Sequence, residues 1–176
     1  TNGTIANASV DLHFKPGDMK LKNTPQDDLA ATIAVKGVDI KYLPDHPPVT
    51  DASGVIAFTG KSMDVKVSSA KFLTASTITA ARVSMPDMYP DDVRMFITLN
   101  ADAPAADIAT FLALPRVEKA EKLHITNAIT GRATGNAKFD LIAFSEQGRE
   151  GEDMHYAIDA KLIDVREDNE WQAGHA

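Results

Sequence analysis

Gly54-Val55-Ile56-Ala57-Phe58-Thr59-Gly60-Lys61-Ser62-Met63-Asp64-Val65-Lys66-Val67 spells a β-hairpin together with its register. Taken as a two-residue turn, Gly60-Lys61 puts glycine at the first central position, where φ > 0 carries no side-chain penalty. Phe58 then faces Met63 and Ile56 faces Val65. On the other side Ala57 faces Asp64 and Val55 faces Lys66. One face is continuously apolar and the other is mostly small or charged. A slip of one residue would drive Asp64 and Lys66 into the apolar layer, so the register is well specified.

The same half-apolar alternation recurs on both sides of this hairpin. Residues 5–14 place Ala6, Ala8, Val10, Leu12 and Phe14 opposite Asn7, Ser9, Asp11 and His13. Lys15-Pro16-Gly17-Asp18 signals a turn, and 19–22 reads as a short returning strand. In 30–43, Ile33 and Val35 share one parity while Val38, Ile40 and Tyr42 share the other. A β-bulge at Lys36-Gly37 accounts for the switch. Residues 69–74 and 76–85 read as two short strands, the second without a decided face. Val93, Met95, Ile97 and Leu99 alternate with Arg94, Phe96 and Thr98. Ala137, Phe139 and Leu141 oppose Lys138 and Asp140, and Met154, Tyr156, Ile158, Ala160 and Leu162 are in phase. Residues 123–130 add a further candidate strand, whereas 116–122 fits either a helix or a strand.

One segment is helical in pattern. Residues 104–114 open on Pro104, carry Asp107 near the positive end of the dipole, and space Ile108, Phe111 and Leu112 along one side before Pro115. The expectation is about nine to eleven strands in an antiparallel meander with one short α-helix. The fold class is therefore mainly β: a twisted meander curled into a groove or half-barrel. It forms one β-rich segment over 1–176, frayed over 167–176.

Composition narrows the function. The 176 residues are 44% hydrophobic but only 6% aromatic, and the net charge is −7. No basic stripe exists to displace counterions, which argues against nucleic acid as a partner. It argues equally against docking on an anionic membrane through charge. The absence of cysteine excludes disulfides and thiolate metal sites. No apolar run is long enough to span a bilayer as a helix. The chain opens on Thr1, and the expectation is a piece excised from a longer protein, with any anchor outside it.

No motif points to catalysis, a metal or a cofactor. Gly54 and Gly60-Lys61-Ser62 mimic a phosphate loop, but five residues separate the glycines where four are required, and those five form a strand. The histidines at 13, 46, 124, 155 and 175 lack ligand spacing. No serine sits in a nucleophile elbow, and the carboxylates cluster in turns. A hydrolase would need such groups to converge in a cleft. Asn2-Gly3-Thr4 and Asn7-Ala8-Ser9 match the glycosylation acceptor pattern, which is short enough to arise by chance. The apolar strand faces have two readings, half of a packed core or the lining of a groove for an apolar ligand.

The run Val38 to Met63 resembles the AsmA-like proteins of Gram-negative bacteria, in particular their YhdP-type domain, and through it the related TamB-like bridge proteins. The resemblance rests on a strand ending at Tyr42-Leu43-Pro44, the pair Pro47-Pro48, Asp51, and Gly54 to Gly60 opening a hairpin. Phe111-Leu112, Pro115, Gly131, Gly135 and the stretch Asn136 to Leu141 extend it over roughly residues 30–166. No active residue comes with it. It implies a non-enzymatic segment of a periplasmic protein anchored in the inner membrane. Such a segment would form an apolar β-groove that conducts phospholipid toward the outer membrane. Its partners would be acyl chains, neighbouring repeats of the same chain, and further copies joined by strand edges. The lipid-facing residues expected from parity and register are Ile56, Phe58, Met63, Val65, Val67, Met95, Ile97, Leu99, Phe139 and Leu141. The competing expectation is a structural or interaction module of an envelope or extracellular repeat protein, with a dry core.

Overall fold

The alternating segments assemble into one open sheet. The computed structural model describes residues 2–18, 23–42, 46–114, 131–149 and 154–163. Eight strands follow in chain order: β1 (Thr4–Leu12), β2 (Leu29–Ile40), β3 (Val49–Thr59), β4 (Met63–Phe72), β5 (Ser76–Met85), β6 (Asp92–Pro104), β7 (Arg132–Ser145) and β8 (His155–Ile163). Each pairs antiparallel with its sequence neighbours, in the spatial order one to eight, so among the described residues β1 and β8 are the two outer strands. Among the described residues a 3₁₀ turn, Gln26–Asp28, leads into β2, and one helix, α1 (Ala105–Leu112), lies between β6 and β7.

The central hairpin has the register its sequence spells: Phe58 opposite Met63, Ile56 opposite Val65, Ala57 opposite Asp64, Val55 opposite Lys66. Its turn closes when the Thr59 N–H donates to the Ser62 carbonyl at 2.9 Å. Thr59 Oγ1 accepts from the Lys61 and Ser62 amides at 3.2 and 3.0 Å. The reason for glycine at 60 differs from the expected one, because its φ is not positive. A Cβ there would lie 1.9 Å from the Pro25 carbonyl oxygen, so close backbone approach demands the glycine. Around this contact three connections are tied together. The Gly60 N–H donates to the Gln26 carbonyl, the Tyr89 hydroxyl donates to the Gly60 carbonyl, and Lys61 pairs with Asp87 at 2.8 Å.

The expected bulge in β2 is present. Gly37 takes φ 65°, and the β2–β3 register shifts between Val35 and Val38. A second bulge, between Ile5 and Asn7, was not anticipated; it sets Ile5 opposite Val35 in place of Ala6. The expected break between 69–74 and the preceding hairpin is absent. The pairing with β3 shifts register at Ser68, between Val67 opposite Gly54 and Ser69 opposite Ser53, but β4 continues as one strand to Phe72. That merger brings the strand number to eight among the described residues. The expected segments 19–22, 116–122 and 123–130 and the tail 167–176 lie outside them.

Helix α1 starts at Ala105 because Pro104 keeps an extended ψ of 148° and ends β6. Asp107 secures the helix. Its Oδ2 accepts from the Ala75 N–H and the Ser76 hydroxyl, both at 2.8 Å. Burial pushes its carboxyl upward, yet these hydrogen bonds outweigh burial and hold it below the usual carboxylate range. Phe111 adds an edge-on contact with Phe72, ring centroids 6.0 Å apart. The helix thus covers the end of the sheet at the β4–β5 turn. Of the eight buried hydrophobic residues described, five are alanine. That inventory belongs to a sheet without a thick second layer.

Candidate functional site

Residues directly opposite each other on adjacent strands share a face of a sheet. Following the pairings from edge to edge gives an unbroken row: Ala8, Ile33, Ile56, Val65, Val83, Ile97, Phe139, Tyr156. A second row runs beside it through Ile5, Val35, Gly54, Val67, Ala81, Leu99, Ala137 and Ile158. A third holds Val10, Ala31, Phe58, Met63 and Met85, with Met95 opposite Leu141 on β6 and β7. All ten residues singled out from parity, Ile56 to Leu141, lie on this one face.

Every one of the ten is half-buried. Neighbouring strands cover their flanks, while no other strand or helix among the described residues forms a layer over them. Besides adjacent strands, the principal contacts are α1 on β6 and the 3₁₀ turn on β3. Seven inter-strand steps of roughly 4.8 Å make the strip about 34 Å long. At the middle of the second row Gly54 interrupts the side chains. A Cβ there would sit 2.2 Å from the Lys66 carbonyl oxygen, so β3 and β4 approach too closely for anything larger. A shallow open hollow of about 410 Å³ lies here, lined by Ala6, Val35, Gly54 and Val67 among others.

The opposite face is laced with ion pairs. Arg82 meets Asp64 at 2.6 Å, and Arg94 meets Asp140 through two nitrogens, Nε at 2.9 Å and Nη2 at 2.6 Å. Arg132 pairs with Asp102 in the same way. Such partly exposed pairs contribute little stability, roughly 0–1 kcal/mol each. Their effect is to keep this face wetted and the strip the apolar one. Phe96 opposite Asp140, Val55 opposite Lys66 and the buried Ile142 opposite Arg94 are apolar exceptions on this face.

Parity within a strand had located the strip only where a strand was unambiguous. The bulge in β2 divides its pattern, so parity alone does not place Ile33 and Val35 on the strip. Residues 76–85 alternate too weakly for parity alone to place Val83 and Ala81. Carrying the hairpin's register one turn further, through Phe72 opposite Ser76, assigns them. Among the described residues no group of three His, Asp or Glu is arranged to hold a metal ion. No described helix is long and apolar enough to cross a membrane. Comparison of the chain with family models, curated proteins and solved structures finds no match.

Proposed function

We propose that this chain is a non-enzymatic, periplasmic segment of an AsmA-like protein, and that its apolar sheet face carries phospholipid acyl chains between the inner and outer membranes. The supporting observation is the apolar strip that crosses all eight strands with no second layer among the described residues. Shielding an acyl chain from water is worth about 0.8 kcal/mol per methylene. A strip of aliphatic side chains therefore suffices, without specific contacts. Its length, about 34 Å from strand spacing, is roughly twice the ~15 Å depth of one leaflet's hydrocarbon layer. A chain can slide along it without leaving apolar surface, and repeats placed in series would lengthen the path. The anchor in the inner membrane belongs to a longer protein of which this is one part.

The test is native mass spectrometry and lipid extraction of the purified chain after exposure to mixed phospholipid vesicles. Bound phospholipid is expected, and Ile97→Lys, at the centre of the first row, should abolish it while the β-sheet signal in far-ultraviolet circular dichroism persists. Val83→Thr, a milder change in the same row, should reduce it. An absence of captured lipid, with the strip side chains protected from water in the lipid-free protein, would favour the dry-core structural module instead.

A further inference from the structure

Sulfur is concentrated at one corner of the sheet. We propose that Met63, Met85 and Met95 form a thioether site for Cu(I), with Met88 beside them. Met63 opens β4 and lies opposite Met85, the last residue of β5. The β5–β6 register sets Val83 opposite Ile97 and Ser84 opposite Phe96. One residue further it brings Met85 to Met95, on the same face as Val83 and Ile97. Three thioethers thus stand side by side on three consecutive strands. Directly opposed residues have Cβ atoms roughly 4.5–5.5 Å apart, so Met85 is within side-chain reach of both others. Met88 lies in the β5–β6 connection, and its N–H donates to the Lys61 carbonyl at 2.9 Å, two residues before Met63. Four of the six methionines therefore meet at this corner. The first two rows of the strip contain none. The three strands that carry the site are interior ones, paired on both sides.

Donor chemistry narrows the ligand. A thioether is a soft, neutral donor, which suits Cu(I) and leaves harder ions to imidazole, carboxylate and carbonyl ligands. Methionine is unbranched with three rotatable bonds, so three such side chains can turn their sulfurs onto one ion while the strands stay in place. Met85 is 6% exposed, and Met63, Met88 and Met95 are half-buried, which screens the ion from water and leaves it a way in. Phe58 lies opposite Met63, and aromatic rings attract cations. The site does not depend on lipid carriage, and either can fail alone.

The experiment is anaerobic titration of the full chain with Cu(I) against a chromophoric Cu(I) chelator, followed by X-ray absorption at the copper edge. A single Cu(I) per chain is expected, with sulfur alone in its coordination shell. Its affinity should stay constant between about pH 5 and pH 8, because a thioether has no proton to displace, whereas an imidazole ligand would lose affinity at the acid end. Zn(II) should not compete. Met63→Leu, Met85→Leu and Met95→Leu should each lower the affinity by about tenfold or more, no less than losing a hydrogen bond behind a metal ligand costs. Leucine conserves volume and apolarity, so these variants should fold as the parent does and leave phospholipid capture unchanged. Met154→Leu, away from this corner, should leave Cu(I) binding unchanged. A parent chain that binds no Cu(I) overturns the proposal. So does nitrogen or oxygen in the coordination shell, or undiminished affinity in the three leucine variants at the corner.

Discussion

Single residues carry constraints that local propensity does not explain. Gly60 sits in a turn, but its φ is not positive; the Pro25 carbonyl oxygen, 1.9 Å from a would-be Cβ, is what excludes a side chain. Gly60→Ala should therefore destabilise by about 1–3 kcal/mol, the usual cost of overpacking, as read from the urea midpoint. Asp28 is the opposite case, a residue that destabilises where it stands. It is 3% exposed and its Oδ2 has no hydrogen-bond partner. Burial raises its pKa above the ordinary value, helped by the hydrogen bond and charge of Asp18 and the charge of Asp27, and opposed by Lys15. The folded state then holds a proton that the unfolded state has released. Stability falls as pH climbs from the ordinary carboxylate value through the raised one, and stays reduced at neutral pH. Asp28→Asn should raise the melting temperature at neutral pH and flatten the stability profile across that window.

At the level of elements, the strip behaves differently from a core. A hydrophobic side chain sealed between two layers costs about 2–5 kcal/mol when cut to alanine. Ile97 is only half-buried, with strand neighbours at its flanks and no described layer above it. Ile97→Ala should cost about 1 kcal/mol, roughly the transfer term for the methylenes that its neighbours cover. A value of 3 kcal/mol or more, set against that 2–5 kcal/mol range for sealed side chains, would mean that something covers the strip. The central hairpin was legible down to its residue pairs, because a period of two with charges on the alternate positions admits one register. β2 was legible as a strand with a bulge, since Gly37 marks the phase change. β5 was legible as a strand without a face: its small residues carry too little contrast between odd and even positions.

For the whole molecule, the sheet is a linear stack in which each strand is held by its immediate neighbours. Stability is then expected to be graded from the middle outward. In native-state hydrogen exchange, amides of β3 to β6 should be the slowest, with β1 and β8 faster. Added phospholipid should slow the exchange of the central strands. Uniform protection in all eight strands of the monomer would contradict the graded picture.

The sequence by itself determined the β class, the hairpin register, the bulge at Gly37, the start of the helix near Pro104 and the side of each strong strand that is apolar. These are local, set by alternation, turn chemistry and backbone sterics within some fifteen residues. Only the tertiary structure decided that the eight strands share one sheet in chain order, that their apolar sides align from edge to edge, and that the described residues form no second layer over them. It also decided that Gly60 answers to Pro25 and that Asp107 ties a helix to a distant turn. Such facts depend on which segments meet across tens of residues, and periodicity within one strand carries no information about what lies opposite it.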